Sequence, residues 1–157
     1  MRTILSAMLV LLLAGCGFHL RGQAMLPYST LYVSGPSGTS LTRALTRVLK
    51  SSGVRLVDRQ ADAEVGLIIV SDVREKSILS LSGAGRAQEY ELRERVSFRI
   101  VTAQEPDLAA NEIVTQRTIS FNDAQVLAKE SEESLLYRDM ENDTVQQLLR
   151  RLQAAKL

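Results

Sequence analysis

Tyr90-Glu91-Leu92-Arg93-Glu94-Arg95-Val96-Ser97-Phe98-Arg99-Ile100 decides the fold of this 157-residue chain. Apolar side chains at 90, 92, 96, 98 and 100 alternate with polar ones at 91, 93, 95, 97 and 99. Successive side chains of a strand point to opposite faces, so the stretch predicts a long antiparallel strand with one face on a core and one in water. Glu94 interrupts the apolar row, which suggests a strand that outruns its core. The wet face carries Arg93, Arg95 and Arg99 beside Glu89 and Glu91. These residues either line an anionic site or pair across strands, and cross-strand pairing is the expectation.

Upstream of this strand, Ser82-Gly83-Ala84-Gly85-Arg86 reads as a turn. Before it, Val65 to Val73 is a strand with Ile68, Ile69 and Val70 suggesting burial. Glu75 to Leu81 continues that strand or pairs with it. Ile78, Leu79 and Leu81 flank the turn and are expected to complete the core; the alternative is an exposed edge or a surface for acyl chains or barrel strands. Further back, Ser29 to Ser34 is a short strand stopped by Gly35-Pro36. Ser37 to Thr39 offer helix N-caps. Leu41, Ala44, Leu45, Val48 and Leu49 follow as one apolar helical stripe, with Gly53 as C-cap. Arg43, Arg47 and Lys50 lie off that stripe and read as a solvated face. Val54 to Val57 is a short strand or lead-in, and Asp58 to Glu64 is turn-like.

Downstream, Glu105-Pro106-Asp107 makes a turn and Ile113 to Phe121 a strand that Asn122-Asp123 ends. Gln125 to Ser131 reads as a loop or a single turn. From about Ser131 a helix carries Leu135, Leu136, Met140, Val145, Leu148, Leu149 and Leu152 on one face. Arg150, Arg151 and Lys156 sit near its end, where cations complement the helix dipole. The order predicts an α+β fold: two helices packed on one face of a mixed, largely antiparallel sheet of about four strands. The first strand-helix-strand unit is expected to be a right-handed crossover.

The N-terminus tells where the chain works. Arg2 precedes an apolar run from Ile4 to Leu13, which ends in Leu13-Ala14-Gly15-Cys16. The run has the length and flanks of a secretory signal and is short for a membrane span. Leu-Ala-Gly-Cys resembles a bacterial lipobox. That resemblance implies a signal peptide at residues 1–15, a diacylglycerol and an N-acyl lipid on Cys16, a lipidated N-terminus and linker over 16–28, and one domain over 29–157. Acyl chains contribute about 0.8 kcal/mol per buried methylene, and two or more give stable anchoring. Gly17, rather than aspartate, follows the cysteine, which points to delivery to the outer membrane. Cys16 is the only cysteine, so an intramolecular disulfide is excluded.

Composition narrows the function further. Of 19 basic and 18 acidic side chains only Arg2 lies in the leader, so the mature chain is formally balanced. Attraction of nucleic acid by net charge is therefore excluded. The absence of tryptophan and the 4% aromatic content argue against stacking platforms. His19 is the single histidine and lies beside the anchor, which leaves no Cys/His zinc site and no credible Ser-His-Asp triad. Neither a metal spacing nor a Gly-x-Ser-x-Gly elbow is present, and a carboxylate-pair enzyme has no positive support. The expectation is a non-enzymatic protein without cofactor beyond its lipid.

Three segments resemble one family. They are Gly15-Cys16-Gly17-Phe18-His19-Leu20-Arg21-Gly22, Ala87-Gln88-Glu89-Tyr90-Glu91-Leu92, and Phe121-Asn122-Asp123 followed by Leu127-Ala128-Lys129. In that order and spacing they are similar to the LPS-assembly lipoprotein family LptE, over nearly the whole mature chain. The resemblance implies an outer-membrane lipoprotein of Gram-negative bacteria that plugs the large β-barrel LptD in a one-to-one complex. It also implies support of barrel assembly, binding of lipopolysaccharide and its insertion into the outer leaflet, on a fold of two helices over a four-stranded sheet. Basic residues near the strand-turn-strand tip and in the Leu-Ala-Lys segment are linked to lipopolysaccharide in that family. Lys129 matches the second. Aligned on Glu89-Tyr90, the first falls near Gly83, and Arg86, three residues on, is the substitute. Phe18, His19 and Arg21 belong to the N-terminal motif and imply anchoring or barrel contact. Beside these roles stand plainer ones: Lys129 as a solvated lysine at an acidic helix start, and Arg86 as a soluble hairpin tip. The alternative for the whole chain is an outer-membrane lipoprotein serving another envelope partner.

Overall fold

The computed structural model describes residues 26–36, 38–102, 110–122 and 125–155. Residues 1–25 with Cys16, Phe18, His19 and Arg21, the cap candidate Ser37, the Glu105-Pro106-Asp107 turn, Asp123 and Lys156 lie outside the described residues. Strand β1 (Thr30–Ser34) leads into helix α1 (Ser40–Ser51), then β2 (Arg55–Val57), a 3-10 turn (Gln60–Asp62), β3 (Val65–Leu81), β4 (Ala87–Thr102), β5 (Asn111–Ser120) and helix α2 (Val126–Ala154). The sheet order is β2-β1-β3-β4-β5, with β2 and β3 parallel to β1 and the rest antiparallel. The α+β class holds as expected. The strand count is five rather than about four, because Arg55–Val57 pairs with Thr30, Leu31 and Tyr32. Three residues are too few to show an alternating pattern in sequence.

Thr39 caps α1: its hydroxyl accepts the Thr42 N–H at 3.3 Å. Leu41, Leu45 and Leu49 are fully buried, each burial stabilising by about 1.5–3 kcal/mol. Gly53 follows the last turn at φ +80°, the left-handed conformation that ends helices. Helix α2 starts at Val126, not near Ser131. Its first turns carry no side-chain cap and expose Val126 and Leu127, so neither capping nor periodicity marks the start. Leu135, expected on the buried face, is exposed, whereas Met140, Val145, Leu148, Leu149 and Leu152 are buried. Leu26 and Tyr28, read in the sequence as the end of the linker, pack against the main core.

Glu94 does not mark the end of the core. It is completely buried, and the apolar row resumes beyond it. Val96, Phe98 and Ile100 belong to the main core under α1 and the second half of α2, while Leu92 belongs to a satellite core with Ile119 and Met140. Between the two cores Arg74 Nε, opposite in the β3–β4 register, donates to Glu94 Oε1 at 2.9 Å. The Thr144 hydroxyl of α2 donates to Glu94 Oε2 at 3.0 Å. Arg74 Nη2 donates to Glu141 at 2.8 Å and to Ser40 of α1 at 3.2 Å. The Glu94–Arg74 pair thus joins two strands and both helices.

Burial pushes the Glu94 carboxyl above the ordinary carboxylate range, outweighing the lowering by Arg74 and Thr144. Burial also raises Asp72, which faces Val96 in the same register and leaves a buried Oδ1 without a hydrogen bond. A carboxyl with a raised folded pKa binds its proton more tightly folded than unfolded. Its share of stability is full below the unfolded pKa and is lost as pH rises through the folded one.

Acidification from neutral towards the ordinary glutamate value of 4.5 should therefore raise the urea midpoint of the parent relative to Glu94→Gln. Glu94→Ala should cost about 2–3 kcal/mol. That is below the usual 3–5 kcal/mol for breaking a buried pair, because Arg74 is partly exposed and keeps Glu141.

Candidate functional site

The site lies where β3 and β4 outrun the rest of the sheet. β1 accompanies β3 only from Val65 to Ile68, and the remaining length of β3 on that side has no strand neighbour among the described residues. Helix α2 packs on β4 and β5 and reaches β3 at Arg74, Glu75 and Lys76, through Glu141, Tyr137 and Glu133. Ile78, Leu79 and Leu81 are accordingly exposed, at 57%, 52% and 57%, and do not complete the core. A register shift between Ile78 and Ser80 marks a bulge at Leu79, a device that turns a side chain away from the regular pleat.

The Ser82-Gly83-Ala84-Gly85-Arg86 turn closes the hairpin. Ser82 N–H donates to Arg86 O at 2.7 Å, Gly85 N–H to Ser82 O at 2.9 Å, and Arg86 N–H to Ser82 Oγ at 3.1 Å. Gly85 adopts φ +76°, which a side chain would strain. Arg86 stands exposed at this tip. β5 ends beside it: Ser120 is opposite Glu89, and Phe121 N–H donates to Gln88 O at 2.7 Å. Phe121 also packs edge-on against Tyr90, with ring centroids 5.6 Å apart.

Helix α2 starts at this same end. Lys129 Nζ donates to Ser120 Oγ at 3.1 Å and to Glu132 at 2.8 Å. Its side chain is only 16% exposed, so it is a seated cation rather than a solvated one. Leu127, two residues earlier, is 80% exposed. The fold brings Arg86 and Lys129 to one end of the sheet, together with Ile78, Leu79, Leu81 and Leu127. Leu127 is missing from the sequence-based candidates because its segment shows no periodicity; an exposed leucine beside a basic residue is the only signal it gives.

Arg93 and Arg95 each hold a carboxylate. Arg93 donates to Glu91 on its own strand at 2.7 Å and faces Gln116 of β5 at 3.5 Å. Arg95 pairs with Glu112 across to β5 at 3.2 Å, as expected of cross-strand charges. Glu89 accepts from the Ser80 hydroxyl at 2.7 Å. These pairs leave a polar sheet face of mixed, largely compensated charge.

Among the described residues no helix is long and apolar enough to cross a membrane. A family model described as "LptE: Lipopolysaccharide-assembly" matches residues 28–152. The chain is 31% identical to the LPS-assembly lipoprotein LptE of Pectobacterium atrosepticum, over 96% of this chain and 83% of the relative. It is 32% identical to that of Yersinia enterocolitica, over 95% and 73%. Among solved structures, lipoprotein B from Nitrosomonas europaea superposes with a TM-score of 0.76 at 42% identity, over 88% of this chain and 91% of that one. The rare lipoprotein B from Shewanella oneidensis gives 0.69 at 28%, over 80% and 94%.

Leu79→Ser together with Leu81→Ser should leave the unfolding midpoint within about 0.5 kcal/mol of the parent, because neither side chain is buried. Binding of a hydrophobic dye to the native protein should fall. A loss of stability typical of a core cavity would show that the tip is packed instead.

Proposed function

The chain belongs to the LptE family of lipopolysaccharide-assembly lipoproteins, and on that footing we propose that it is an outer-membrane plug, held by lipid on Cys16, for the LptD β-barrel. In this reading it sits one-to-one in the barrel lumen, supports assembly of the barrel, binds lipopolysaccharide and helps to insert it into the outer leaflet. The work is binding and positioning rather than catalysis.

The observation that carries the reading is the composition of the hairpin end. Lipopolysaccharide presents phosphates beside acyl chains. Arg86 and Lys129 offer a bidentate donor and a point charge for phosphate, and Ile78, Leu79, Leu81 and Leu127 offer exposed apolar surface at the same end. Lys129 already holds Glu132, so phosphate binding there is an exchange of partners, not the filling of an empty site. The compensated sheet face, with Arg95–Glu112 and Arg93–Glu91, suits the polar lumen of a barrel. Phe18, His19 and Arg21 stand between the anchor and the domain and are assigned to barrel contact.

Purification of the full-length lipoprotein from its own outer membrane in mild detergent should yield a large β-barrel in equal amount. Recovery of the protein alone, under conditions that preserve barrel complexes, would leave an envelope lipoprotein with another partner. With the complex in hand, Lys129→Glu and Arg86→Glu should each weaken lipopolysaccharide binding by roughly ten-fold, the loss of one hydrogen bond to a charged group. Barrel recovery should be unchanged. Wild-type affinity in both variants would remove the tip from the binding site.

A further inference from the structure

Strand β5 is an outer strand of the sheet. It pairs with β4 on one side and, among the described residues, with no strand on the other. Phe121 N–H donates to Gln88 O, which fixes the phase of the ladder. Bonded and non-bonded pairs alternate along an antiparallel ladder, so Ile113, Thr115, Arg117 and Ile119 turn their backbone groups towards β4. Those of Val114, Gln116 and Thr118 point away from it. Arg117 Nη1 donates to the outward Gln116 O at 2.9 Å, as this phase requires. The outward groups of Val114 and Thr118 have no such partner among the described residues. A bare edge of this kind is a template for a further strand.

An open groove of about 1010 Å³ lies beside that edge, with β5, α2 and the end of α1 in its walls. Asp143, Gln146, Gln147, Arg150 and Gln153 line it from α2, at spacings that place them on one helix face. Three of these five are amides, each able to donate and to accept. Arg117 pairs with Asp143, whereas Arg150 makes no ion pair among the described residues. Thr115 lines the same groove at 6% exposure, and its buried hydroxyl oxygen has no hydrogen bond. A folded domain rarely leaves such a group unmatched. The lining holds no aromatic side chain and so no stacking platform. Neutral donors and acceptors beside an unpaired strand match the repeating N–H and C=O groups of an extended polypeptide.

We propose that the outer edge of β5 accepts an extended segment of the barrel chain as an added strand, laid in the groove against Gln146, Gln147 and Arg150. The proposal rests on the plug reading of the chain. The wall strands of a closed barrel have both edges paired, so the segment is one that leaves the wall and enters the lumen. Enclosure by the barrel brings such a segment to the edge of β5 rather than hiding the edge from it. Its backbone pairs with Val114 and Thr118 and takes Gln116 O from Arg117, which keeps Asp143. On the helix side its side chains meet the amides, and a carboxylate meets Arg150.

The test uses the full-length lipoprotein, alone and in complex with its barrel. Backbone amide exchange should be fast at Val114, Gln116 and Thr118 in the free protein and at least about ten-fold slower in the complex, with Ile113 and Thr115 slow in both. A photo-cross-linking amino acid in place of Gln146 should attach to one short stretch of the barrel chain outside its membrane-spanning strands. Val114→Pro removes an outward N–H that the free chain leaves unused, and proline is tolerated on edge strands. It should weaken that cross-link by roughly five- to ten-fold while the free protein keeps its unfolding midpoint. Exchange in the parent chain decides should the proline itself disturb β5. Unchanged exchange in the complex, or a cross-link spread over the membrane-spanning strands or made only to lipopolysaccharide, would overturn the proposal and leave the plug in place. Failure to recover the barrel at all would overturn the plug reading, and this occupant with it.

Discussion

A completely buried carboxylate organises this domain. Glu94 interrupts what would otherwise be a continuous apolar face of β4, and Arg74, Thr144, Glu141 and Ser40 are arranged around it. An uncompensated charge at that depth would cost several kcal/mol, so the strand register and both helix positions must agree for the site to be tolerable. A one-residue slip of β3 against β4 would carry Arg74 to the opposite face and leave Glu94 without its partner. The polar seam contributes little net stability compared with a hydrophobic replacement; its effect is to admit one register. That register fixes how far β3 and β4 project beyond the rest of the sheet.

The second physical theme is the separation of chemistry between the two ends. At the hairpin, exposed apolar side chains and two cations stand together, and Lys129 is seated by Ser120 and Glu132. Along the sheet the charges are mostly paired, and α1 carries three exposed cations with no acidic residue of its own. The balance of basic and acidic side chains in the whole chain hides this separation. A formal charge near zero is compatible with ends of very different character.

Much of this was legible in the residues. Alternation in Tyr90–Ile100, the stripe from Leu41 to Leu49, the cap at Thr39 and the glycine turns fix the class and most of the element order, because each is a local signal. The failures are equally physical. Glu94 looks like an interruption when only the pattern is visible; its partners come from elements 20 or more residues away. Ile78, Leu79 and Leu81 carry the composition of core residues. Their exposure depends on β1 stopping short and on where α2 crosses, neither of which is a local property. Family resemblance points to Arg86 and Lys129, and the fold brings them to one end of the sheet. Leu127 carried no periodic signal at all.

The length of β3 sets a distance. Its 17 residues span about 55 Å at the usual strand rise. A bilayer with its headgroups is about 40–45 Å thick. The hairpin is therefore longer than a bilayer is thick, although among the described residues no helix is long and apolar enough to cross one. The hairpin is a ruler as much as a binding surface: deleting one residue pair from each strand would draw the tip back by about 7 Å while leaving the chemistry of the turn intact.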